Sequence, residues 1–143
     1  MSTPLPSASP VAPADSLVTI THVVYALHTV GLVFGAFGTA SIIGAFLFGW
    51  PSIIAVIINY VKRSDVRGTY LDSHFSWQIR TFWWALLFAA IILFVGLVLL
   101  PLLGLGLLVW WIGFFALGIW AIYRIARGWL ALKDRRPMPA TTP

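Results

Sequence analysis

The sequence contains no cysteine and no glutamate, and only 9% of its 143 residues are charged. The lack of cysteine excludes disulfides, zinc–thiolate sites and iron–sulfur clusters. Four aspartates make up the whole acidic complement, which leaves little material for carboxylate catalysis or calcium binding. We therefore expect no cofactor, no metal site and no enzymatic activity.

Apolar residues take the place of the missing charge. The hydrophobic fraction is 60% and the mean hydropathy is +0.94, whereas about a quarter of the residues in a soluble domain are charged. The length leaves room for one domain. These features predict an all-α integral membrane protein with one transmembrane domain.

The pattern divides the chain into a Pro/Ser-rich disordered tail over residues 1–16, a transmembrane domain over 17–136 and a disordered tail over 137–143. Four transmembrane helices in two hairpins are expected near 17–37, 42–62, 73–100 and 105–132. An interfacial helix leads into the third, and a basic amphipathic segment ends the fourth.

Two sites compete for the turn in the first apolar stretch. A turn at 38–41 gives two full crossings, with Pro51 kinking the middle of the second helix. A turn at 49–51 leaves about 16 Å of helix, which is too short to cross a bilayer. That alternative is a three-span protein with a re-entrant second segment. We favour the first site.

Every Lys and Arg lies in one of two segments, 62–80 or 124–136, and each segment flanks apolar stretches. The positive-inside rule therefore predicts that both termini are cytoplasmic. The flanking positions argue against nucleic-acid binding and favour contact with anionic lipid headgroups. The candidate headgroup contacts are Lys62, Arg63, Arg124, Arg127, Lys133, Arg135 and Arg136.

The segment entering the third helix carries two neighbouring stripes, one polar and one of aromatic rings around a cation. Contacts to other helices are one interpretation, with tryptophans at the headgroups. A docking surface for a partner is the second. Catalysis or metal binding would need a second ligand or a glutamate nearby. The stripes are His74, Gln78 and Thr81, and Trp77, Arg80 and Trp84.

Polar side chains inside the predicted spans form a third set of candidates: His22, Tyr25, His28 and Asn59. His22 and His28 lie six residues apart and so do not share a helix face. We expect hydrogen bonds between helices rather than a proton relay, because no charged residue lies within any predicted span. Asn59 is expected to bond to the stripe that contains His74.

Three stretches carry a resemblance: THVVYALH, FGWPSIIAVIINYVKRSDVRGTYLDSHFSWQIRTFWW and YRIARGWLALKDRRPM. Over most of residues 20–138 the chain resembles a family of small multi-pass inner-membrane proteins of proteobacteria. That family is distantly similar to the Tic20-like proteins of the chloroplast envelope import apparatus. The resemblance implies a four-helix domain in a bacterial inner membrane and a helper role in a membrane complex, with no catalytic residues to carry over.

Two functions remain as hypotheses. The first is a non-enzymatic accessory or scaffold protein that binds a membrane protein partner or anionic lipid at the cytoplasmic face. The second is a small channel or carrier that works as a homo-oligomer, because the uncharged spans of one protomer do not enclose a polar path.

Overall fold

The computed structural model describes residues 11–38 and 49–139, with the side chains of 34–38 excepted. All regular secondary structure in these two ranges is helical, which confirms the all-α class. Residues 1–10 of the predicted N-terminal tail and residues 39–41 of the predicted turn lie outside the described residues. The four helices are α1 (Asp15–Gly38), α2 (Trp50–Val61), α3 (Leu71–Leu99) and α4 (Leu105–Lys133).

Three of these helices, α1, α3 and α4, are long and apolar enough to cross a membrane, which indicates a membrane protein. α2 has 12 residues, or about 18 Å at 1.5 Å per residue, and falls short of the bilayer core by itself. Residues 42–48 of the expected second helix lie outside the described residues, so the kink at Pro51 stays a prediction. Pro51 lies in the first turn of α2, where its missing N–H has no helical partner to lose.

The α3–α4 hairpin matches its predicted boundaries closely. α3 runs without a break from Leu71, two residues before the expected start. The chain turns at 101–104, where Gly104 has a φ of 76° and precedes the first residue of α4. The two helices then approach closely, because Gly106 packs on the carbonyl of Gly96 and the indole of Trp110 donates to the Leu93 carbonyl at 3.2 Å.

The buried core lies at the end of the bundle where α1 and α3 begin and α2 and α4 end. Its members come from α1, from the connection 62–70, and from α3 and α4: Tyr25, Val66, Leu71, Phe75 and Leu132. All nine Lys and Arg and all four Asp belong to the segments that meet here. We call this end the charged pole: residues 15–28, 62–81 and 124–139.

The remaining lengths of α3 and α4 carry no charge. Residues 81–99 and 105–123 form two helical stretches of 19 residues, or about 28 Å each, close to the thickness of about 30 Å of a bilayer core. Their large apolar side chains are mostly exposed, as expected for lipid contact. The first ten residues of α3 and the last ten of α4 therefore extend beyond the apolar layer into the charged pole.

Candidate functional site at the charged pole

A buried histidine links three segments of the charged pole. His74 is fully buried; its Nδ1 lies 3.0 Å from the Tyr25 hydroxyl of α1, and its Nε2 lies 2.8 Å from the Arg136 carbonyl. A carbonyl only accepts, so Nε2 carries the hydrogen and Nδ1 accepts from the Tyr25 hydroxyl. The neutral imidazole thus satisfies both of its nitrogens, and it joins α1, α3 and the segment after α4.

A second pair of hydrogen-bonded rings joins α1 to α4. The Trp129 indole donates to Nδ1 of His22 at 2.9 Å, and the Trp129 ring stacks on Tyr25 with centroids 6.3 Å apart and an interplanar angle of 10°. Gly128 makes room for this stack, because a Cβ at that position would meet the Tyr25 hydroxyl. His22 therefore bonds between helices, as expected.

A buried arginine forms the third part of the site. Arg124 is 3% exposed, and its guanidinium carbon lies 3.8 Å from the centroid of the Trp77 ring. Its Nε donates to the Thr81 hydroxyl at 2.8 Å, while the Trp77 indole donates to the Arg124 carbonyl at 3.1 Å. The ring of Trp77 thus makes a cation–π contact with Arg124 of α4. Arg124 is buried by the aromatic rings of Trp77 and Trp120, so its predicted contact with lipid headgroups is wrong.

A small cavity lies beside Arg124 and Tyr25, with a volume of about 10 Å³, roughly the space that one water molecule needs. Both amide atoms of Gln78 and Nε2 of His28 are buried here without a hydrogen-bond partner among the described residues. The cavity has room for one water molecule. It is too small for an organic substrate. It is lined by Tyr25, His28, Trp77, Gln78, Thr81, Arg124 and Ile125.

Asn59 does not join this network. Its side chain is fully buried, and neither amide atom has a partner among the described residues. The expected bond to the stripe that contains His74 is therefore wrong. Tyr25 and Arg136 occupy both nitrogens of His74, and the amide of Gln78 has no partner among the described residues either.

The predicted stripes on α3 are thus mostly inside the protein. His74, Trp77 and Gln78 are buried and Thr81 is partly buried, whereas Trp84 is 37% exposed. His74 and Thr81 bond to other segments, as expected for a packing surface. Arg80 is partly buried at the inner edge of the uncharged stretch. Of the two stripes, Thr81, Arg80 and Trp84 are therefore at least partly exposed, whereas the buried members are not.

The other predicted headgroup residues lie on the surface of the pole. Lys62 donates to the Asp65 carboxylate at 3.0 Å, and this hydrogen bond together with the charge of Lys62 lowers the pKa of that exposed carboxyl. The exposed or partly exposed members of the predicted headgroup set are Lys62, Arg63, Arg127, Lys133, Arg135 and Arg136.

The sequence did not predict two sets of contacts in the site, those of Trp129 and those of the segment 136–139. Residue 138 was expected in a disordered tail, but Met138 is 5% exposed and its N–H donates to Ser73 Oγ at 2.9 Å. Gly128 could have indicated the contact of α4 with α1. A glycine inside a helix costs about 1 kcal/mol of stability relative to alanine, so its presence suggests that another side chain packs closely against the helix there.

Within residues 11–38 and 49–139, no three His or Asp side chains are grouped closely enough to hold a metal ion. No family model matches the chain, and neither a curated protein nor a solved structure matches it significantly. The resemblance to the proteobacterial inner-membrane family stays a prediction.

Proposed function

We propose that the protein is a non-enzymatic membrane accessory or scaffold protein that binds a membrane partner or anionic lipid through its charged pole. One observation carries the proposal: every charged residue of the chain belongs to one end of the bundle, around a polar core whose hydrogen bonds hold that end together. The hydrogen-bonded core holds the helices of the charged pole together, and the basic side chains on the surface of the pole remain available for binding.

The proposed orientation places the charged pole in the cytoplasm of a bacterial cell, with the spans in the inner membrane. Nine basic residues against four acidic ones at one end of the spans support this side. α1 begins at the pole and α4 ends there, so both ends of the described chain lie at the same face.

The surface proposed for a protein partner is centred on Trp84, next to Arg80. Trp84 is 37% exposed and packs on Phe88 at a centroid distance of 5.5 Å. Exposed tryptophan beside arginine is the composition of an interface hot spot. The buried members of the two stripes support this surface from behind.

Native mass spectrometry after mild detergent extraction from the source membrane tests the proposal. We expect a second polypeptide at fixed stoichiometry or retained anionic lipid. Trp84→Ala should lower recovery of a protein partner. Trp111→Ala, which removes a more exposed tryptophan ring far from the pole, should leave that recovery unchanged. A homo-oligomer with neither partner nor retained lipid would contradict the proposal.

The cavity beside His28 favours a second candidate function, a small oligomeric channel or carrier. The buried polar atoms of His28 and Gln78, which have no partner within residues 11–38 and 49–139, are the kind of groups that hold water or protons within a membrane protein. Flux of protons or small ions into proteoliposomes is the measurement. A flux that depends on pH and disappears in His28→Ala would favour this function, whereas absent flux would remove it.

A further inference from the structure

The chain reverses direction after α4 and forms a groove with it. Arg135 has a φ of 54°, and the N–H groups of Arg135 and Arg136 donate to the carbonyls of Leu132 and Ala131 at 2.9 Å. The next residues then run back along the pole. This is the ending that stops a helix with one left-handed residue.

Two hydrogen bonds hold the returning segment in place against the first turns of α3. The Arg136 carbonyl accepts from Nε2 of His74 at 2.8 Å, and the Met138 N–H donates to Ser73 Oγ at 2.9 Å. Met138 is almost fully buried. The segment is therefore a fixed wall, and the groove exists before any ligand arrives.

The groove between this wall and α4 has a volume of about 310 Å³, at the lower end of the range for small-molecule sites. Two exposed arginines line the groove, Arg127 from α4 and Arg136 from the returning segment. The rest of its lining is apolar, and Leu130 is 63% exposed. Its full lining is Arg127, Leu130, Ala131, Arg136, Pro137, Met138 and Pro139.

We propose that this groove binds the phosphate headgroup of an anionic phospholipid, with Arg127 and Arg136 on the phosphate and the apolar lining against the glycerol and the first carbons of the acyl chains. This inference rests on the proposed function, of which it names the lipid site. Guanidinium groups present several donors in a plane that matches phosphate oxygens. The combination of two cations with an apolar floor fits an amphiphile better than free phosphate.

Neither arginine donates a side-chain hydrogen bond to a buried group of the described residues, although the Arg127 guanidinium carbon lies 5.8 Å from the centroid of the Trp77 ring. Arg127 donates to the exposed Tyr123 hydroxyl at 2.9 Å, and Arg136 pairs with Asp134, with both side chains of that pair more than half exposed. Exposed pairs of this kind contribute little, and a guanidinium has five N–H donors. Both groups therefore keep donors for a phosphate.

Lipid titration of the full chain in detergent, followed by native mass spectrometry, tests the site. Phosphatidylglycerol should bind more tightly than phosphatidylcholine, and Arg127→Gln/Arg136→Gln should lower phosphatidylglycerol affinity by about tenfold or more. Arg63→Gln/Arg67→Gln removes the same charge from the same pole outside the groove, and should lower it by no more than about threefold. Arg127→Lys/Arg136→Lys should lie between the wild type and the glutamine variant.

Three outcomes would overturn the assignment of the groove as a phospholipid site, and each has a different consequence for the proposed function. Equal losses in the two glutamine variants would leave lipid binding by the pole intact and reject the groove. Competition by millimolar inorganic phosphate would make this a free-phosphate site. A wild-type protein that prefers neither lipid and retains no partner would reject the proposed function as well.

Discussion

The hydroxyl of Tyr25 lies 3.0 Å from Nδ1 of His74, and this contact closes the charged pole by joining α1 to α3 across 49 residues of sequence. Both side chains are at most 1% exposed, so water does not replace the bond when one partner is removed. The ring of Tyr25 also stacks on Trp129 of α4. One side chain of α1 thus contacts both long helices.

Tyr25→Phe should destabilise the protein by about 1–3 kcal/mol, because it keeps the ring but leaves a buried imidazole nitrogen without its donor. Thermal unfolding in a fixed detergent measures the effect. Tyr123→Phe is the matched control, since its hydroxyl accepts from Arg127 at the exposed surface, and it should change the free energy by no more than about 0.5 kcal/mol. Equal effects of the two substitutions would contradict a buried Tyr25–His74 bond.

The approach of α4 to Tyr25 depends on Gly128. A Cβ there would meet the hydroxyl oxygen and lie 2.8 Å from two ring carbons of Tyr25, so Gly128→Ala should cost about 1–3 kcal/mol through overpacking. Gly118 is in the same helix and has nothing within 4 Å of such a Cβ. Gly118→Ala should therefore stabilise by up to about 1 kcal/mol, through helix propensity alone. The opposite signs are read from the melting temperatures, and a stabilising Gly128→Ala would show that the two helices are further apart.

Gln78 carries a buried side-chain amide, and replacing that amide by an apolar group should not lower the stability of the fold. Neither of its side-chain polar atoms has a hydrogen-bond partner among the described residues, and it is 2% exposed. Gln78→Met keeps the shape and removes a desolvated polar group, so the melting temperature should stay the same or rise. Thr81→Val is the comparison in the same cavity, because it removes the acceptor of Arg124 Nε and should destabilise. A loss in Gln78→Met as large as that in Thr81→Val would mean that the amide binds a water or an ion.

The lengths of the apolar runs predicted the bounds of α3 and α4 to within two residues. Two uninterrupted apolar stretches of bilayer length, separated by a short segment with Pro and Gly, are compatible only with a helical hairpin. The same reasoning does not decide the role of Pro51, since a proline fits the first turn of a helix as well as a kink, and the sequence does not distinguish them. The stripe of His74, Gln78 and Thr81 was recognised from its spacing. Its partners Tyr25 and Arg124 come from other helices, and periodicity within one helix carries no information about which neighbour faces it.

The connection 62–70 offers a test of electrostatics away from the apolar segments. Lys62 lowers the pKa of the Asp65 carboxyl first by its hydrogen bond and then by its charge, and Ser64 adds a smaller hydrogen bond. Lys62→Gln should therefore raise that pKa towards the ordinary value of an aspartate, and Ser64→Ala should raise it less. NMR titration of the carboxyl carbon measures both shifts.

The sign of any effect on stability follows from the direction of that pKa shift. A carboxyl with a lowered pKa in the folded state contributes stability above its ordinary pKa of about 4, and the contribution is lost as pH falls through the folded value. Because Asp65 is exposed, Lys62→Gln should leave the melting temperature at pH 7 almost unchanged. A clear drop at neutral pH would indicate that Lys62 has a further role in holding the connection.

The depth that the turn expected at 38–41 reaches in the membrane distinguishes the two arrangements of the first hairpin. α2 runs from Trp50 to the pole over 12 residues, or about 18 Å, so its first residue lies well short of the far side of a bilayer core of about 30 Å. The chain contains no cysteine, and each introduced cysteine is therefore a unique label site. Arg63→Cys should react with a membrane-impermeant maleimide from the cytoplasmic side and Leu103→Cys from the opposite side. Two full crossings predict that Ser41→Cys, in the turn expected at 38–41, reacts from the side of Leu103. Absence of reaction from either side would show that the first hairpin turns within the membrane.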